Sequence, residues 1–155
     1  MTRQMPRWLA RSPIPLYRWG FGRLFGSRLM MLEHRGRTTG QRRYVVLEVV
    51  DREPESLIIV SGYGPSSQWY RNILATPDVR IWTGATKDVL ARATPVPSSE
   101  TPSLLESYRG RHRRAAKALG RTLDIPELIE DGPLPEDIAT RLPLVRIDFG
   151  NELKS

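Results

Sequence analysis

The chain has no cysteine among its 155 residues. That absence excludes disulfides, thiolate metal centres and cysteine nucleophiles together. Histidine is nearly as scarce: His34 and His112 are too few for a histidine-based metal site, so no metal is expected. Long apolar runs are missing as well. No stretch reaches the roughly 18 apolar residues of a membrane span, and residues 1–11 lack the unbroken apolar stretch of a secretory signal. The expected location is therefore the cytoplasm. Phosphate-binding signatures of the common kinds are absent too. No Gly-Lys-Ser/Thr follows Gly36 and Gly40, and no Gly-x-Gly-x-x-Gly opens a helix after a strand. Neither an acid–base dyad nor a nucleophile motif stands out.

Positive charge, by contrast, is concentrated. The net charge is +7, yet residues 1–43 alone carry ten arginines against the single acid Glu33. Such a field attracts polyanions: nucleic acid, an anionic membrane, or a phosphorylated ligand. A solvated basic face accounts for the same composition. Within residues 5–26, Trp8, Leu9, Phe21, Leu24 and Phe25 alternate with Arg7, Arg11, Arg18 and Arg23 in an amphipathic helical pattern interrupted by Pro13 and Pro15. Residues 1–28 thus read as a basic, amphipathic segment that either covers one end of the domain or touches an anionic membrane surface. The two prolines favour packing.

The remainder reads as short strands. Residues 29–34, 44–50, 57–60, 79–83, 89–96 and 144–149 carry β-branched or alternating apolar patterns. A polar turn is expected over residues 51–55. A short helix is expected after Ser66 or Ser67, with Trp69, Tyr70, Ile73 and Leu74 on its apolar face. Residues 98–142 form a helical segment before the last strand. In it a longer helix runs from Thr101 to Gly120, followed by short turns near residues 126–130 and 136–141. No linker or repeat divides the chain, so residues 1–155 form a single domain. Short antiparallel strands with few helical crossovers predict a mainly β fold, a barrel of about six strands with flanking helices.

Three segments could carry chemistry. Gly36-Arg37-Thr38-Thr39-Gly40-Gln41-Arg42-Arg43 combines glycines that allow close backbone approach, hydroxyl donors, and arginines able to fork onto phosphate oxygens. The same residues also suit a plain hairpin turn. Ser61-Gly62-Tyr63-Gly64 puts small residues at a strand end, where a flat ring can lie against backbone, and equally suits a strand-ending turn. In Gln68-Trp69-Tyr70-Arg71-Asn72 the aromatics fit a core. Asn72, beside that apolar face, needs a hydrogen-bond partner.

In this order the three segments resemble the deazaflavin-dependent nitroreductase family, also described as quinone reductases that use coenzyme F(420). The family pattern is a Gly-Arg-basic-Thr/Ser-Gly loop with a basic residue shortly after it. A Ser-containing, Gly-rich turn follows, then Trp-Tyr-x-Asn-Leu-x-Ala-x-Pro-x-Val. It is matched by Gly36-Arg37-Thr38-Thr39-Gly40 with Arg43, by Ser61 to Gly64, and by Trp69-Tyr70-Arg71-Asn72-Ile73-Leu74-Ala75-Thr76-Pro77-Asp78-Val79. The resemblance implies a split β-barrel of the FMN-binding-like kind. It implies hydride transfer from reduced F(420) to an organic acceptor: a quinone, a nitro compound or an activated alkene. It assigns the cofactor phosphate to Arg37, Thr38, Thr39, Gly40 and Arg43. The ring falls near Ser61, Gly62, Tyr63 and Gly64, and the groove wall to Trp69 and Asn72. Many members carry Lys or Arg where this chain has Thr38, so Arg37, Arg42 or Arg43 must supply that charge. Tyr63 and Tyr108 are candidate proton donors, though either is also explained as a packing aromatic. FMN, which also bears a phosphate, is the alternative cofactor, and a non-enzymatic basic binding module is the alternative class. Nucleic acid is not an expected partner, because the aromatics form no stacking platform on strands. The partner is a small-molecule electron acceptor, and the oligomeric state is open, a homodimer included.

Overall fold

The computed structural model describes residues 29–62, 64–84 and 86–150, with backbone alone at 86 and 87. The expected N-terminal segment and Tyr63 lie outside the described residues. Six strands form: β1 (Leu29–Arg35), β2 (Arg42–Glu53), β3 (Ser56–Val60), β4 (Asp78–Thr83), β5 (Thr86–Pro95) and β6 (Leu144–Asp148). They close into a barrel in the order β1-β2-β3-β6-β5-β4, with β4 pairing back onto β1. Every neighbouring pair is antiparallel. Helix α1 (Gln68–Ala75) joins β3 to β4. Helices α2 (Thr101–Arg111), α3 (Arg113–Leu123) and α4 (Ile138–Arg141), with a 3-10 turn at Pro126–Leu128, lie between β5 and β6.

Alternation explains which side chains fill the barrel. Met30 and Leu32 of β1, Leu47 and Val49 of β2, Val79 and Ile81 of β4, and Ala91 and Ala93 of β5 point inward. Trp69 and Ile73 of α1 join this core. Strand β3 is apolar on both faces, whereas β6 buries Val145 and Ile147 in the barrel and only Leu144 on the other side. Leu57 and Ile59 point into the barrel, whereas Ile58 and Val60 pack under the helical layer against Leu105, Tyr108, Ala115 and Ala116. This double burial accounts for the uninterrupted apolar run of β3.

Three local expectations are corrected. The polar turn after β2 is tighter than residues 51–55. Glu53 pairs with Ser56, leaving residues 54 and 55 as the turn, and a bulge at Val49/Asp51 sends Val50 into the outer core. Asp51 stays in the strand because it meets Arg111 at 3.0 Å. The helix from Thr101 does not run unbroken to Gly120. It bends at His112 (φ −130°, ψ 61°), so that Leu105 and Tyr108 before the bend and Ala115 and Ala116 after it all face the sheet. Gly120 is no stop: a Cβ there would stand 2.8 Å from the Ile125 carbonyl oxygen, and Asp124 in left-handed backbone ends the helix. On α1 the buried face is Trp69, Asn72 and Ile73, while Leu74 is 52% exposed.

Candidate functional site

The loop between β1 and β2 continues their ladder. His34 pairs with Arg43 and Arg35 with Arg42, after which the Gly36 amide donates to the Gln41 carbonyl at 2.9 Å. The Gly40 amide returns to the Gly36 carbonyl at 2.7 Å, and Gly40 adopts φ +70°, a backbone that glycine takes without strain. The segment is thus a hairpin turn, and it is also one wall of a cavity of about 290 Å³. Gly36, Arg37, Thr38, Thr39 and Arg43 line it from the hairpin, and Gln68 and Asn72 from α1.

Arg37 joins the two walls. Its backbone amide donates to Asn72 Oδ1 at 3.1 Å and its Nη1 to the same oxygen at 2.8 Å, while Nη2 donates to Gln68 Oε1 at 2.9 Å. Asn72 is buried and uses its other side as well: Nδ2 lies 3.0 Å from His34 Nδ1. Because Arg37 can only donate, Asn72 must turn its oxygen towards Arg37 and its amino group towards His34. His34 Nδ1 is therefore an acceptor, and the ring proton sits on Nε2. Burial first, and the Arg43 charge second, push the His34 pKa down to about 4, which agrees with a neutral ring.

Gly36 shows why the cavity exists. A Cβ at this position would stand 2.8 Å from Thr39 Oγ1 and 3.3 Å from Arg43 Nε. The hydroxyl and the guanidinium converge on space that any other residue would fill. Hydroxyl, guanidinium and an open, solvent-facing mouth suit a phosphate oxygen.

The remaining sequence candidates sit elsewhere. Ser61 is fully buried; its hydroxyl donates to the Gly64 carbonyl at 2.7 Å and lies 3.2 Å from the Ser67 hydroxyl. Gly62 packs beneath Leu123, whose methyls would meet a Cβ there at 3.0 and 3.2 Å. Neither Ser61, Gly62 nor Gly64 lines the cavity, and Trp69 belongs to the barrel core. Tyr108 is in the outer core beneath the helices, with its ring 5.8 Å from that of His112. His34 escaped the sequence reading as a site residue, and Gln68 entered it only as the first residue of the third segment, with no role assigned. The inward phase of β1, shared by Met30, Leu32 and His34, marks His34 as a buried polar group needing a partner. Gln68 stands one helical turn before Asn72.

The sequence profile of the F420H(2)-dependent quinone reductases matches residues 18–124. The chain belongs to this family. It is accordingly an oxidoreductase, a reductase that draws on reduced coenzyme F(420). Solved structures agree in fold. One is a F420-H2-dependent reductase (FDR-A), 17% identical, with 78% of this chain and 94% of that one covered at a TM-score of 0.51. Another, described as a domain-swapped dimer, is 17% identical, with 92% and 98% covered and a TM-score of 0.53. A third, a putative pyridoxamine 5'-phosphate oxidase from Listeria innocua, is 9% identical, with 85% and 91% covered and a TM-score of 0.50. No curated protein matches the chain. Among the described residues no helix is long and apolar enough to cross a membrane, and no cluster of acidic or histidine side chains could hold a metal ion. The hydroxyl- and guanidinium-lined cavity has the chemistry to take a phosphate group.

Proposed function

We propose that the cavity between the β1–β2 loop and α1 holds the phosphate of coenzyme F(420), and that the reductase passes a hydride from the reduced cofactor to a quinone-type acceptor. The observation that carries this reading is the space left by Gly36, on which Thr39 Oγ1 and Arg43 Nε converge. Arg43 is the principal cation of the site. Arg37 forms its floor, because Asn72 and Gln68 already hold its guanidinium. Thr38 and Thr39 offer hydroxyls, and Gly40 gives the loop its turn. Ser61 and Gly64 act through the helix: the Ser61 hydroxyl and the Gly64 carbonyl meet Ser67 and seat the start of α1, which Trp69 anchors in the barrel, while Gly62 packs against Leu123.

When bound, the reduced deazaflavin supplies the hydride; the protein orients it and limits access of water. The residues described here bind and position. A guanidinium–phosphate contact outweighs a neutral hydrogen bond, so Arg43→Ala should raise the F(420) dissociation constant about 10- to 100-fold with little change in thermal stability. Titration of the protein with F(420) and with FMN, followed by fluorescence, tests the assignment. Tighter binding of FMN, or an unchanged affinity in Arg43→Ala, would refute it. A panel of quinones, nitro compounds and activated alkenes, with oxidation of the reduced cofactor followed by absorbance, identifies the acceptor class. For residues 1–28, packing against the domain is favoured over contact with an anionic membrane surface. Liposome flotation with anionic vesicles at low salt separates the two.

A further inference from the structure

Each hydrogen-bonding atom of the Asn72 carboxamide is committed. Oδ1 accepts from the Arg37 amide at 3.1 Å and from Arg37 Nη1 at 2.8 Å, and Nδ2 meets His34 Nδ1 at 3.0 Å. A carboxamide presents different atoms on its two sides, and a 180° turn about its last bond exchanges them. Turned the other way, Asn72 would offer an amino group to the Arg37 amide and guanidinium, which themselves only donate. Both bonds to the loop would be lost. Arg37 therefore selects the orientation, and His34 supports it from behind. His34 is 4% exposed, sits on the inward phase of β1, and presents an acceptor nitrogen to the buried end of the amide.

We propose that His34 is a positioning residue: by accepting from Asn72 Nδ2 it braces the Asn72 amide in the orientation that Arg37 selects, and so steadies the Arg37 contact that holds the phosphate loop in its binding shape. The inference rests on the assignment of that loop to the cofactor phosphate. His34 does not line the cavity. Its influence passes through Asn72 to Arg37 and from there to a hairpin whose Thr39 and Arg43 must converge on the space above Gly36. In this arrangement the binding wall is preorganised before the anion arrives, so the cost of ordering it is not charged against affinity.

The test pairs two changes at His34 with one at Asn72. His34→Leu removes the acceptor. His34→Asn keeps one, because its carboxamide oxygen can occupy the position of the ring Nδ1. With the intact chain at pH 7.5, binding of F(420), and of inorganic phosphate as the minimal probe, is measured by titration, and folding by thermal melting. His34→Leu is expected to weaken both ligands about tenfold, and His34→Asn to restore most of the affinity. In an Asn72→Ala background, His34→Leu is expected to cause no further loss, since the path is already cut. Nitrogen NMR of labelled histidine gives a signature independent of binding: His34 Nδ1 should resonate as a hydrogen-bonded acceptor in the wild type and shift in Asn72→Ala. A folded His34→Leu that binds as the wild type overturns the proposal, as does an equal loss in the Asn72→Ala background. If His34→Leu does not fold, failure of His34→Asn to bind, or an unshifted Nδ1 signal in Asn72→Ala, overturns it. Should Arg43→Ala leave both affinities unchanged, the cofactor assignment fails and the proposal falls with it. If Arg43→Ala weakens binding and the His34 variants do not, the assignment stands and His34 alone is refuted.

Discussion

Acid should cost this protein stability through His34 in a defined window. The ring has an ordinary pKa of 6.5 in the unfolded chain, and burial together with the Arg43 charge lowers it to about 4 in the folded one. Above pH 6.5 neither state binds the proton, and the difference has no effect. As the pH falls from about 6.5 to about 4, the unfolded chain takes up a proton that the native state refuses, so the free energy of unfolding decreases. Below pH 4 both states are protonated and the decrease levels off. The gap between 6.5 and about 4 corresponds to about 3 kcal/mol. Urea unfolding between pH 8 and pH 3.5 reads this directly, and the midpoint should drop on the order of 1–2 M across the window. Carboxylates titrate in the same range, so the comparison is with His34→Asn, which lacks the titrating ring and retains the same acidic residues. The difference between the two curves isolates His34. A difference that stays flat between pH 7 and pH 4 would refute the reasoning, as would a His34 NMR titration with its midpoint near 6.5.

Other outcomes follow from the packing. Gly36→Ala should displace the Thr39 hydroxyl and weaken F(420) binding severalfold, measured by fluorescence titration, since its Cβ would stand 2.8 Å from Oγ1. Gly120→Ala should lower thermal stability by about 1–3 kcal/mol, because a backbone carbonyl at 2.8 Å yields little. Ser61→Ala removes the 2.7 Å bond to the Gly64 carbonyl and leaves it only the Ser67 amide at 3.4 Å, for a loss of about 1 kcal/mol in urea unfolding. Tyr108→Phe should leave the turnover of the loaded enzyme unchanged, since the residue sits in the core beneath the helices.

Much of this architecture is legible in the residue pattern. Alternation reads directly in the first part of β4, where Val79 and Ile81 face the barrel core and Asp78 and Arg80 face away; β1 is buried on both faces, since Met31 packs against Trp82. In β3 alternation disappears, since the helical layer buries Ile58 and Val60 from outside, yet the short apolar run still signals a strand. Gly120 misleads for a physical reason. Glycine marks helix ends through its backbone freedom, but here its lack of a side chain is used for contact with Ile125, which no local pattern reveals. At the candidate site, the hairpin loop that lines the cavity is visible as Gly-Arg-Thr-Thr-Gly. That Arg37 is held from below by Asn72 and Gln68 depends on where α1 lands, and sequence spacing carries no record of that. The polar character of Asn72 on an apolar face is the one local trace, and its two partners resolve it.

The bond between Arg37 and Asn72 spans 35 positions of sequence. A hairpin of β1 and β2 can form early and locally, on the microsecond scale of such elements. Its loop, however, gains a second wall only after β3 has paired and α1 has docked. A chain with only this hairpin formed has one wall of the cavity and not the other. Ligand that recognises the assembled pair of walls binds the native state and not its precursors, so it shifts the folding equilibrium by mass action. Added ligand of the kind this pair of walls recognises should therefore raise the thermal midpoint in proportion to the logarithm of its concentration.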